Sequence, residues 1–347
     1  MGSFVKSANG GGSTIIMSSA PSVKSFAAAV GKKEADGPLG ACFDYVGRDV
    51  TFGLKSWEKG EGFLQSRALT LALQKGALSE SDLSFIFAGD LLNQCVASGY
   101  NMRDFAVPFV GLYGACSTMA ESLALASVFV ESSLVPHAAA LTSSHFCSAE
   151  RQFRAPLNYG GQRTPTAQWT ATAAGCAIVA PRTNPPYVNA VTFGRVWDYG
   201  VKDATNMGAA MAPSAYHTIT AHLENTGKSL NDFDYIVTGD LGKVGSVLLC
   251  ELFEQGQDEN ADFENFREKH LDCGVMLYDH KLQDTHAGGS GCGCSAAVLC
   301  GYFLNEIAKH KLDNILFVAT GALMSPTMTQ QGESVPSVSH AVHISAQ

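Results

Sequence analysis

Positive charge is scarce in this 347-residue chain: 23 Lys and Arg stand against 32 Asp and Glu, a formal net charge of −9. A nucleic-acid binder would carry a basic stripe, so that class is excluded. Charged residues make up only 16% and apolar ones 46%, which excludes a disordered chain and leaves a globular one. Single cores rarely grow past ~250–300 residues, so the length implies one large layered unit or two lobes. No run approaches the ~18 apolar residues that span a bilayer. The opening MGSFVKSANGGGSTIIM lacks a signal-peptide core, and Lys6 stands where a myristoylation signal needs Ser or Thr. Residues 1–24 therefore read as a flexible Gly/Ser tail, with no transmembrane segment or anchor in the chain and synthesis in the cytoplasm. Ten cysteines without a secretory leader read as thiols, most of them buried. The closest spacing, Cys292-Gly293-Cys294, has no second pair to complete a zinc site. The glycine run around it has no Gly-Lys-Ser/Thr, which excludes a P-loop.

What is present is a duplication. Residues 82–91 (DLSFIFAGDL) and 232–241 (DFDYIVTGDL) agree at five of ten positions, and each follows a helical stretch. A shift of 178 residues brings Cys116 onto Cys294, Ser117 onto Ser295 and Thr142 onto Thr320. In both copies a glycine-containing turn opens a small-residue helix and a strand follows, AAALTSS in one and ILFVAT in the other. Helix–strand alternation with buried apolar strands predicts α/β layering with mostly parallel strands. The halves should be residues 25–183 and 184–347, joined at the proline-rich PRTNPP.

Ligands of such sheets sit beyond the carboxyl ends of the strands. The turns there carry Cys116, Thr142, Ser143, Ser144, His145, Asp240, His286, Ser290 and Ser325, and these are the candidate site. A thiol at a helix start feels the positive end of the macrodipole, which favours thiolate and a nucleophilic role for Cys116. The same placement also suits simple packing on the sheet. Glycines at 286–295 fit either backbone contact with an anion or close helix packing. Arg151, Arg154 and Arg163 suit carboxylates, of a ligand or of the protein. Asp90 reads as a cap, whereas Asp240 faces the other half's thiol.

Longer segments carry a resemblance. GLYGACSTMAESLALAS, TSSHFCSAERQF, YGGQRTPTAQWTAT, GRVWDYG, MGAAMAP, TGDLGKVGS, AGGSGCGCSA and ATGALMSPTMTQQGES resemble the stage V sporulation protein AD family of endospore-forming bacteria. That family belongs to the thiolase-like superfamily, which implies a five-layered αβαβα fold of two pseudo-symmetric halves. It also implies that Cys116 stands at the nucleophile's place. The base of thiolases and ketoacyl synthases, a His after the strand matching DYIVTGDLG, has no counterpart: Gly239 and Asp240 stand there. Their third group lies in the loop near Ser290, four residues from His286. The resemblance thus implies a retained pocket without the catalysis. The ligand it implies is dipicolinate (pyridine-2,6-dicarboxylate), taken into the spore and released on germination, with membrane channel proteins of the same operon as partners at the spore inner membrane. Hydroxyls of Ser143, Ser144, Ser290 and Ser325 and the rings of His145 and His286 would contact it. Asp240 would repel the dianion unless Ca²⁺ came with it. A homodimer through AVPFVGLY, the strand before Cys116, is expected too. The alternatives are an acyltransferase or 3-ketoacyl synthase-like enzyme using Cys116, and a scaffold with a vestigial pocket.

Overall fold

The computed structural model describes residues 2–7, 10–153, 163–255 and 266–347. A hairpin of β1 (Ser3–Lys6) and β2 (Gly12–Ile16) precedes β3 (Ser22–Val30). There follow α1 (Lys32–Ala35), β4 (Tyr45–Val46), α2 (Trp57–Gly76), β5 (Phe85–Gly89) and α3 (Val96–Asn101). Next come β6 (Phe109–Gly111), α4 (Thr118–Glu131), β7 (Ala138–Ser144), α5 (Phe146–Phe153), β8 (Trp169–Thr170) and β9 (Ala173–Ala180). The second half opens with β10 (Tyr187–Gly194), α6 (Met207–Thr226), β11 (Tyr235–Thr238), α7 (Gly242–Gln255), α8 (Phe266–Lys269) and β12 (His270–Asp272). It closes with α9 (Cys273–Met276), β13 (Gly289–Ser290), α10 (Cys292–Val298), β14 (Asn314–Ala322) and β15 (Ser337–Ser345).

The strand order states the duplication directly. One half runs β6-β5-β7-β9-β3, the other β12-β11-β14-β15-β10, and the single pair Tyr187↔Ser22 joins β10 to β3. The two matching decapeptides form β5 and β11, and AAALTSS and ILFVAT lie in β7 and β14. The strands are mostly parallel in direction, as the alternation predicts. In each half four of the five run the same way, and β9 or β15 runs antiparallel to both of its neighbours.

The layers follow from which helix faces are apolar. In α2 the residues Glu61, Leu64, Gln65, Ala68, Leu69 and Ala72 recur at helical spacing and are buried against β3, β9 and β7. On the other outer face, α6 and α7 pack on each other and α6 covers β14 and β15. Between the sheets lie α4 and α10, and every residue of α10 is buried. Glycine is obligatory in that middle layer: a Cβ on Gly293 would stand 2.3 Å from the Ala173 carbonyl oxygen and 2.6 Å from the Ser144 nitrogen. The glycine run of 286–295 therefore does serve close packing. All ten cysteines are free, with Cys42 and Cys147 half-buried and the others buried. No helix among the described residues is long and apolar enough to cross a membrane.

The tail expected over residues 1–24 is corrected. β2 pairs antiparallel with β10 from Ala190↔Ile16 to Gly194↔Gly12, and the Thr14 and Thr192 hydroxyls meet at 2.8 Å in a buried contact. The glycines that suggested a tail lie at the turn of a hairpin, and the STII that follows is a strand closing the open edge of β10.

Candidate functional site

Cys116 lies in the tight turn Ala115–Ser117 that leads into α4, with Ala115 at φ 50°. Asp240 follows β11, and Ser290 and Gly291 lead into α10. The two halves thus bring three of the predicted residues together. The Cys116 Sγ is 4.0 Å from the Ser290 Oγ, and the Ser290 hydroxyl lies 3.3 Å from the Asp240 Oδ2. The Gly291 nitrogen donates to the same oxygen at 2.7 Å, while Oδ1 is buried with no partner. On the other side the thiol packs with Leu91, Ala149, Cys292 and Phe153.

Burial decides the charges here. It pushes the Asp240 carboxyl up to about 7, helped by nearby Asp272. It also drives the Cys116 thiol well above its ordinary value, and Asp240 and Cys292 add to that rise. Burial and the neighbouring Asp240 thus outweigh the helix start, which alone would favour a thiolate. A surface-type dipole effect is worth ~0.3–1 kcal/mol, whereas full burial beside a carboxylate can move a group by several pH units. At neutral pH the site holds a thiol beside a carboxyl that is close to half protonated.

The remaining candidates serve the frame. Thr142 donates to the Cys292 carbonyl oxygen at 3.1 Å, Ser144 to that of Ala171 at 2.6 Å, and Ser143 to Glu61 Oε1 at 3.0 Å. His145 spans two backbone groups, with Nε2 2.6 Å from the Val50 oxygen and Nδ1 accepting from the Cys147 nitrogen at 3.1 Å. Burial keeps that ring neutral by lowering its pKa. His286 faces Asp284 at 3.2 Å rather than the thiol, and Ser325 caps the short helix Pro326–Gln330. Arg151 pairs with Glu58 and Arg163 with Glu150, which is the ion-pair reading, and Arg154 lies outside the described residues.

Two features of the frame were not foreseen. Gln168 is buried, and its Nε2 donates to the carbonyl oxygens of Asp240 and Gly289, both at 2.7 Å, bracing the two site loops. Glu61 and Asp90 form a buried acid pair whose oxygens take hydroxyl and amide donors from Ser143, Ser148, Ser98 and Leu92. Burial, and for Glu61 the neighbouring Asp90, raise both carboxyls. Glu61 was legible as a polar residue inside the apolar stripe of α2; Gln168 has no such signal. Near the cluster a cavity of about 660 Å³ opens by Trp169, whose neighbour Thr170 pairs with Ser290. Among the described residues no three His, Cys, Asp or Glu side chains converge as a metal would require.

The family described as stage V sporulation protein AD matches residues 11–345. The chain belongs to the stage V sporulation protein AD family. It is 41% identical over 320 residues to the stage V sporulation protein AD of Bacillus subtilis (strain 168), covering 92% of this chain and 93% of that one. Among solved structures it is similar to 3-oxoacyl-[acyl-carrier-protein] synthase III from Aquifex aeolicus VF5, with TM-score 0.58, 15% identity and coverage of 94% and 99%. A variant of Xanthomonas campestris OleA aligns with TM-score 0.60 at 11% identity, covering 95% and 99%. At such identities the likeness shows the fold alone, a thiolase-like α/β fold, as the resemblance implied. In this member of the stage V sporulation protein AD family, Asp240 occupies the turn after β11 where the resemblance implied a missing His.

Proposed function

We propose that this chain is a non-catalytic ligand-binding member of its family that binds dipicolinate for uptake into the developing spore and release on germination. It acts at the spore inner membrane, docked peripherally on membrane channel proteins of the same operon. The observation that carries the non-catalytic part is the contact of Asp240 with Gly291 and Ser290 beside Cys116. A buried thiol pushed far above the thiolate range, with an acid in the place of the missing His, is a poor nucleophile. The raised Asp240 pKa also means that a proton can relieve its repulsion of an anion, so Ca²⁺ need not accompany the ligand. Two copies pair through β6, which among the described residues is an edge strand bonded to β5 alone, and where Val110 is exposed.

Calorimetric titration with dipicolinate, alongside incubation with acetyl-CoA and intact-mass analysis, tests this reading. Saturable dipicolinate binding with no mass gain on Cys116 is expected. The acyltransferase reading keeps one argument, a carboxyl that exchanges its proton near pH 7 beside a thiol. A covalent acyl adduct on Cys116 without dipicolinate binding would establish it and overturn ours.

A further inference from the structure

The loop 47–53 supplies Arg48, Asp49 and Val50 to the lining of the cavity beside Trp169. It is folded tightly onto itself. Phe52 takes φ 55°, a left-handed value that a bulky residue holds only at a cost. Its ring lies on bare backbone at Gly47, where a Cβ would stand 2.0 Å from the Phe52 Cε1. The same ring stacks on Phe63 of α2 with centroids 5.8 Å apart, and meets the His145 ring edge-on at 6.4 Å and 81°.

His145 fastens this loop to the frame. It is buried just past β7, and its Nε2 lies 2.6 Å from the Val50 carbonyl oxygen. Its Nδ1 accepts the Cys147 N–H at 3.1 Å, at the start of α5. The proton of the neutral ring therefore sits on Nε2 and is donated to Val50, and only this tautomer satisfies both contacts. A second proton would stand on Nδ1 and face the Cys147 N–H, donor against donor. Burial lowers the pKa of the ring, with the Val50 contact working the other way.

The charged groups around the ring are engaged elsewhere or face outward. From α2, Glu61 of the acid pair with Asp90 accepts from Ser143 and Ser148, Glu58 pairs with Arg151 of α5, and Lys59 is exposed. Glu150 of α5 pairs with Arg163. In the loop and its continuation, Asp49 accepts the Thr51 nitrogen and hydroxyl at 2.9 and 2.7 Å, and Arg48 and Lys55 are exposed.

We propose that the neutral His145 ring is a latch that holds loop 47–53 as a wall of the cavity, and that a proton on the ring releases the loop. The latch does not depend on which ligand the protein takes. The ring binds its proton more weakly latched than free, so closure is complete above about pH 6.5 and is lost as pH falls below it. One proton taken up at ~6.5 raises the open population by at most ~30-fold at pH 5. Release also relieves the left-handed backbone at Phe52. The carboxyls of Glu61, Asp90 and Asp240, all raised by burial, work with the opposite sign: protonating them favours the fold, so they do not open the loop on acidification.

Hydrogen exchange read by mass spectrometry on the full chain between pH 8 and pH 5, corrected for intrinsic rates, tests the latch. Peptides covering 47–56 report the loop, and β14 serves as reference. His145→Gln places an amide N–H where Nε2 stands and does not titrate. His145→Asn keeps an acceptor for Cys147 but cannot reach Val50. In the wild type, loop exchange about tenfold faster at pH 5 than at pH 8 is expected, with β14 unchanged. The Gln variant should stay closed at both pH values and the Asn variant open at both. Equal exchange at both pH values in the wild type, a wild-type response in His145→Gln, or a closed loop in His145→Asn would each overturn the latch. Should the Asn variant fail to fold, the comparison of wild type with His145→Gln decides alone.

Discussion

The Oδ2 of Asp240 accepts the backbone N–H of Gly291 at 2.7 Å, while its Oδ1 is buried without a partner. One oxygen is fixed by the other half of the fold. Burial outweighs the Cys116, Gly291 and Ser290 donors around the carboxyl and displaces it from 3.8 to about 7. Because the folded pKa lies above the unfolded one, the contribution to stability is full below pH ~4 and is lost as pH rises through ~7. Asp240→Asn keeps the acceptor for Gly291 and removes the titration. It should be more stable than the parent at pH 8 by up to roughly 4 kcal/mol, with little difference at pH 4. Urea unfolding at both pH values checks this; parallel stability profiles would remove the argument.

The thiols should react in the order of their exposure. Under native conditions at pH 8, iodoacetamide should label the half-buried Cys42 and Cys147 first, and Cys116 only slowly. Peptide mapping over time reads the order. Labelling of Cys116 as fast as Cys42 would mean an accessible thiolate and would revive the nucleophile.

Gln168 ties the Asp240 turn to the Gly289 loop through one amide nitrogen. Gln168→Met fills similar volume but leaves two buried carbonyl oxygens without that donor. A cost of about 2–4 kcal/mol follows from the desolvation left unpaid at each. Chemical denaturation measures it, and a loss under ~0.5 kcal/mol would show that the loops are held otherwise.

Two glycine substitutions separate packing from helix propensity. Gly293→Ala drives a methyl to 2.3 Å from the Ala173 carbonyl oxygen, so a loss of more than ~3 kcal/mol or failure to fold is expected. Gly99→Ala, within α3, meets nothing within 4 Å and should be neutral or stabilising by ~0.5–1 kcal/mol. Thermal melts of the pair provide the comparison, and equal effects would refute the close contact.

The duplication was legible because each half writes it locally: DLSFIFAGDL and DFDYIVTGDL became β5 and β11 at matching places in the two halves of the strand order. The meeting of Cys116, Ser290 and Asp240 followed, since all three lie at turns beyond strand ends. What stayed hidden depended on distant partners. The serines of β7 looked like free donors, yet their acceptors are Glu61 and a backbone oxygen at Ala171. Gln168 is one polar residue in a loop, and only the fold shows which two carbonyls it reaches. His286 was close to Ser290 along the chain, but its ring turns the other way, to Asp284. Hydrophobic periodicity, finally, carries no information on whether a short polar-rich strand such as β2 finds an edge to pair with.

The hairpin at the start of the chain has a consequence in time. Thr14 meets Thr192 across 178 residues, which at ~5–20 residues per second separates their synthesis by roughly ten to thirty seconds. Throughout that interval β2 has β1 but not β10 to join, while β3, β5 and β7 are made early and β9, at residues 173–180, only shortly before β10. β10, when it arrives, still lacks β15, its neighbour on the other side, until nearly the last residues are made. The first hairpin and the last strand therefore flank the same strand, and the clasp of β2 on β10 is set only after every strand of the first half has been made.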